Sequence, residues 1–208
     1  FLYLIWNEYL IHFLWRLDME PVPKQMPEEF PTKSHYGKLC VLEIPYLNFA
    51  QETCMGTMCV HEEIGSAVQA LFAELYRIKF PIFSMQCSPW EKRPPQWFLF
   101  MNTIGYVDKK RTGKASLSHH AAGLAFDLNP HFNPLIWPER SIHIPPNSVY
   151  NPAAAGTVTK EIADICYKHG FLWGGVWHEK KDYMHFSWAE SDKLVPELKP
   201  ENAGAQFA

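Results

Sequence analysis

Two short stretches of this chain carry residues that could do metal-assisted acid–base chemistry. The first is Ser118-His119-His120-Ala121-Ala122-Gly123-Leu124-Ala125-Phe126-Asp127, and the second is Asp182-Tyr183-Met184-His185. A catalytic zinc site wants three protein ligands drawn from His and carboxylates, an open position for water, and a nearby carboxylate that acts as general base. His120, Asp127 and His185 can supply the ligands and Asp182 the base. His119 is a rival for His120, because neighbours on a strand face opposite ways and only one of the two fits. Ten His and 22 Asp and Glu in 208 residues also produce such a triple by chance, so surface or core-satisfied His stands as the competing reading.

The spacing sets geometric demands. Seven extended residues span roughly 23 Å, whereas two atoms bound to one zinc lie only about 4 Å apart. The chain must therefore fold back between His120 and Asp127, and Gly123 is the residue that permits it. Asp182 and His185 are three apart, which on a flat strand would send them to opposite faces. Asp182 must then sit in a turn just before the strand that carries His185.

The elements that position these residues are legible in outline. Residues 39–46, 57–61, 82–85, 123–128, 171–177 and 185–188 read as strands. Ile64, Val68, Leu71, Phe72 and Leu75 recur at helical spacing, which predicts an amphipathic helix over 62–78 stopped by Pro81. Val158, Ile162, Ile165 and Cys166 predict a second helix, with Gly170 just past its end. Residues 88–116 read as polar and irregular apart from the apolar run 97–101. Residues 130–153, with six prolines, read as a long loop. Strands and helices alternate without a regular βαβ rhythm, which predicts an α+β fold with a small antiparallel sheet and flanking helices.

Composition narrows the function. With 47% apolar and 20% charged residues the chain has an ordinary globular balance. Its net charge of −3 and the lack of a basic stripe argue against nucleic acid as a partner, and so against a metal-dependent nuclease built on the His-rich loop near 119–131. Five cysteines, an odd number with no C-x-x-C pair, read as buried thiols; a Cys54–Cys59 bridge is not expected. His61, His143, His169 and His178 lack partners at ligand spacing and read as surface or capping residues. Residues 1–38 read as an N-terminal extension and proline-rich linker, 39–190 as the functional domain and 191–208 as a tail. The extension reads either as a docked amphipathic helix within 1–18 or as sequence upstream of a start at Met19. Its longest apolar run, residues 1–6, is far short of the ~20 residues of a membrane span, and it shows no signal-peptide features.

Taken in order, Ser118-x-His120-x-x-Gly123-x-Ala125-x-Asp127, Trp173-Gly174-Gly175-Val176-Trp177 and Asp182-Tyr183-Met184-His185-Phe186 resemble the M15 family of zinc D,D- and L,D-peptidases. Ile44-Pro45-Tyr46-Leu47-Asn48-Phe49, the helix at 62–78 and Phe80-Pro81-Ile82 extend the likeness, which covers about residues 39–188. The resemblance implies zinc held by His120, Asp127 and His185, Asp182 as catalytic base, and the fold shared by D,D-peptidases and hedgehog signalling domains. It also implies a substrate, the peptide stem of bacterial peptidoglycan, cut as a D,D-carboxypeptidase or an L-Ala-D-Glu endopeptidase would cut it. A monomer acting at the cell envelope or outside the cell, as a wall enzyme or phage lysin, is expected. The alternative is a zinc-binding, non-catalytic interaction module of the same fold.

One departure matters. Where the family often carries Arg in Asn-Thr-x-x-Phe-Asn-Tyr-Arg, this chain reads Asn102-Thr103-Ile104-Gly105-Tyr106-Val107-Asp108-Lys109. Lys is a point charge without the bidentate fork of Arg, so the exchange is not neutral. Lys109 is expected to take over the contact to the substrate carbonyl or developing oxyanion, with Lys110 and Arg111 as neighbouring alternatives and a solvated basic turn as the competing reading. Ser118, Trp173 and Tyr183 are expected with Lys109 on the substrate side, while Trp173 and Trp177 read equally as cleft wall or core.

Overall fold

The computed structural model describes residues 30–88, 96–110 and 118–199. The expected helix within 1–18, the linker up to residue 29, Arg111 and the chain from residue 200 onward lie outside them. Among the described residues nine strands assemble into three antiparallel sheets of three strands each. The first sheet orders β1 (Lys33–Ser34), β2 (Gly37–Leu47) and β3 (Thr53–His61). The second places β9 (His185–Trp188) between β4 (Ala125–Asp127) and β7 (Phe171–Trp173). The third places β5 (Leu135–Trp137) between β6 (Ile142–Ile144) and β8 (Lys181–Asp182). Helices Gly65–Arg77 and Lys160–Lys168 flank them, giving the expected α+β class.

The predicted helix at 62–78 is a 3-10 turn, Glu62–Ile64, running into the helix Gly65–Arg77, which buries Val68, Leu71, Phe72 and Leu75. These residues recur every three or four positions and so share one face. That face meets the core aromatics: Phe72 packs edge-on to Phe126 at 5.5 Å, and Phe126 stacks on Phe186 at 5.2 Å. Core packing continues beyond residue 190, because Val195 and Leu198 are buried in the same cluster.

Four expectations change. The strand expected over 171–177 stops at Trp173 and runs into a 3-10 turn, Gly174–Val176. Residues 130–153 are not one long loop: β5 and β6 form a hairpin there, and none of the six prolines falls inside either strand. Proline lacks the N–H a ladder needs, and here it brackets the strands instead of interrupting them. Residues 82–85 are not a strand; the chain there makes only isolated bridges, Leu47 with Pro81 and Met85 with Thr103. The apolar run near 97–101 is a short helix, Gln96–Met101. No helix among the described residues is long and apolar enough to cross a membrane, and all five cysteines are free thiols.

Candidate metal centre

Register brings the first two candidate ligands together. β4 and β9 pair with Asp127 opposite His185 and Phe126 opposite Phe186. Successive side chains alternate across a sheet, so one face sends Phe126 and Phe186 into the core while the other presents Asp127 and His185 side by side. His120 arrives from the 3-10 turn His119–Ala122. The Ser118 hydroxyl caps that turn, accepting the His120 N–H at 3.4 Å. Gly123 ends it at φ +70°, and a Cβ there would lie 2.5 Å from the backbone nitrogen of His61. Left-handed backbone pressed against a neighbouring strand is a place only glycine fits, and it makes the reversal that the spacing demanded.

The three ligand atoms form a nearly equilateral triangle. His120 Nε2 lies 3.1 Å from Asp127 Oδ1 and 3.1 Å from His185 Nδ1, and His185 Nδ1 lies 3.2 Å from Asp127 Oδ1. A tetrahedral zinc with bonds of about 2.0–2.1 Å sets its ligand atoms roughly 3.3 Å apart. The tautomer agrees: His120 Nδ1 is 2.7 Å from the carbonyl oxygen of Gly105, which can only accept, so Nδ1 holds the proton and Nε2 presents a lone pair. A carboxylate oxygen and two imidazole nitrogens converge here within hydrogen-bond distance of one another, a donor set of the kind that holds zinc. A cation at their centre satisfies them together. This is the one His/Asp group of metal-binding geometry among the described residues, and all three members are buried.

The electrostatics fit the same purpose. Burial pushes His120 below its ordinary value, keeping the ring neutral and able to ligate. Burial opposes the charge on Asp127, yet the His120 ring in its protonated form and the Lys109 ammonium hold its carboxyl well below the usual range. Lys109 Nζ sits 3.4 Å from Asp127 Oδ2, the oxygen outside the triangle.

Asp182 is the last residue of β8, opposite Leu135, and the chain turns through Tyr183 and Met184 into β9. The expected turn is therefore one residue later than Asp182. Gly174 wedges beneath both residues: a Cβ there would come within 3.0 Å of Asp182 Cβ and 3.4 Å of His185 Cβ. Burial pushes the Asp182 carboxyl up to about 6; His185 pulls it down, Asp127 pushes it up, and Lys180 and Lys109 pull it down. Among the described residues its carboxylate makes no hydrogen bond or ion pair, which leaves it available as a base.

The other expected residues take varied places. Ser118 is buried as the cap of the His120 turn. Trp173 is buried and donates its indole N–H to the Tyr183 carbonyl at 2.8 Å, bracing the turn between Asp182 and His185. The Tyr183 ring is half-buried and lies flat against Tyr150 at 3.6 Å, so one of its faces is covered. Lys110 is exposed. His119 turns away from the triangle, pairing its Nε2 with Ser191 Oγ at 3.2 Å, so of the two it is His120 that stands beside Asp127 and His185. His61 caps the 3-10 turn after β3 and His169 pairs with Glu74 at 2.9 Å.

Trp177, expected as either cleft wall or core, sets its ring 5.5 Å from that of His185, with the Lys180 ammonium 4.4 Å from its centroid. One contributor was not read from the sequence. Gly105 orients His120 through its carbonyl; a lone glycine inside the apolar run Ile104 to Val107 is the signal for close backbone approach that could have found it.

Residues 112–188, which contain all four residues of the centre, match the family model described as D-alanyl-D-alanine carboxypeptidase. No curated protein and no solved structure matches the chain.

Proposed function

We propose that this chain, an M15 peptidase by its match over residues 112–188, is a zinc-dependent hydrolase of the peptide stems of bacterial peptidoglycan. The observation that carries the reading is the triangle of His120 Nε2, Asp127 Oδ1 and His185 Nδ1, three atoms of ligand type at 3.1–3.2 Å. Those residues would hold the metal, which supplies a Lewis acid that polarises the scissile carbonyl and acidifies water.

The chain's own residues do the rest. The Asp182 carboxylate, unpartnered among the described residues and close enough to sense Asp127, His185 and Lys109, takes the proton of the attacking water and delivers it to the leaving amine. The β4–β9 register and the Gly105 carbonyl fix the ligands before substrate arrives, so little reorganisation is left for the reaction. Tyr183, backed by Tyr150 and braced by Trp173, is proposed to line the groove for the peptide. Such a substrate places the activity at the cell envelope or outside the cell.

The test is digestion of purified peptidoglycan with mass analysis of the released peptides, with and without a zinc chelator. Release of free D-Ala marks a carboxypeptidase, and cleavage between L-Ala and D-Glu marks an endopeptidase. Zinc retained with no peptide released would instead leave the non-catalytic interaction module.

A further inference from the structure

We propose that segment 103–109 is the outer scaffold of the metal centre and that Lys109 is a positioning residue for Asp127, not a contact to the substrate. The proposal rests on reading the His120–Asp127–His185 triangle as a metal site.

One short stretch of chain holds two of the three ligands. The Ile104 N–H donates to the Asp127 carbonyl at 3.1 Å and the Asp127 N–H donates to the Ile104 carbonyl at 2.9 Å, which fixes the backbone of the carboxylate ligand. One residue on, the Gly105 carbonyl accepts the proton of His120 Nδ1 at 2.7 Å. The Val107 N–H then donates to the His120 carbonyl at 3.2 Å. Lys109 closes the set with its ammonium 3.4 Å from Asp127 Oδ2. The segment is itself tied down, since the Tyr106 N–H donates to the Cys59 carbonyl on β3 at 2.7 Å.

The geometry divides the two oxygens of Asp127 between the triangle and the Lys109 ammonium. Oδ1 belongs to the triangle and Oδ2 to Lys109, so the carboxylate is aimed to ligate through one oxygen. An ammonium suits this task, because it is a compact charge on a flexible stem that can meet one oxygen, whereas a guanidinium fork is built to engage two. The Lys109 side chain is 21% exposed, so solvent weakens the pair less than at an open surface. Asp127 is its ion-pair partner among the described residues, and that contact directs the ammonium at a ligand of the centre.

Partners that orient metal ligands are worth about 10–100-fold in metal affinity. The experiment is zinc affinity of the full chain, measured by competition with a chromophoric chelator, for the wild type, Lys109→Met, Lys109→Gln and Lys109→Arg, each checked for its fold by circular dichroism. Lys109→Met and Lys109→Gln should bind zinc about 10–100-fold more weakly, and Lys109→Arg, which keeps the charge but brings a two-pronged fork, should recover only part of the loss. Having two neutral variants keeps the measurement decisive if one of them does not fold. Zinc affinity within twofold of wild type in a folded neutral variant overturns the proposal; a fall in turnover at that unchanged affinity would put Lys109 on the substrate. A wild-type chain that binds no zinc overturns the metal reading itself, and the proposal with it.

Discussion

His185 lies directly opposite Asp127 across the β4–β9 pair, with Nδ1 3.2 Å from Oδ1, although 58 residues separate them in the chain. The sheet therefore sets the distance between these two ligands, and the capped turn that carries His120 completes the triangle. Each of the following outcomes depends on that division of labour.

Removing a ligand should empty the centre. His185→Ala leaves two donors where a stable zinc site needs three, so metal analysis should find no stoichiometric zinc. His119→Ala is the companion: it should keep its zinc and lose roughly 2–4 kcal/mol of stability, from the cavity left by a buried ring together with its contact to Ser191. Zinc lost from His119→Ala and retained by His185→Ala would reverse the assignment.

Asp182→Asn keeps the shape of the side chain and removes the base. It should retain zinc and lose roughly 10²–10⁴ in peptidoglycan hydrolysis, the range attributed to general acid–base catalysis. Zinc content and hydrolysis are measured on one preparation. Loss of zinc from this variant would make Asp182 a ligand.

The same substitution has a pH signature in the metal-free protein. The Asp182 carboxyl stands at about 6 in the fold and near ~4 in an unfolded chain, so the folded state binds this proton more tightly. The stability it contributes is complete below pH ~4 and is lost as pH rises through about 6. Asp182→Asn should therefore be more stable than wild type at pH 7.5 and show no such advantage at pH 4, by urea unfolding with chelator present. An equal difference at both pH values would contradict the burial of this carboxyl.

Gly105→Ala tests the scaffold through its backbone. The new Cβ would lie 2.4 Å from the Cys59 carbonyl oxygen and 2.9 Å from Val60 Cγ1, and the first of these is a backbone atom that cannot swing aside. Destabilisation should reach or exceed the ~1–3 kcal/mol typical of overpacking. Zinc affinity should fall as well, because the carbonyl that aims His120 is displaced. Denaturant unfolding and chelator competition measure the two effects, and a variant unchanged in both would show that the contact is slack.

The sequence by itself determined the local features of this protein. Apolar spacing placed the helix Gly65–Arg77 within its predicted span, and Gly170 marked the end of the second helix in a left-handed conformation. The gap between His120 and Asp127 required a reversal at Gly123, and the two motifs contained His120, Asp127 and His185, which the fold brings together. These features depend on residues within a turn or two of one another, where side-chain type and backbone preference act directly. The tertiary structure decided the rest. The β5–β6 hairpin escaped the sequence reading because its short strands are paired from outside, β5 lying between β6 and β8, while the prolines around them suggested only loop. The partner of Lys109 lies 18 residues away and the carbonyl that orients His120 lies 15 away. Composition carries no record of such pairings, because they depend on the path by which strands of matching register pack their apolar faces together and leave the opposite face to the ligands.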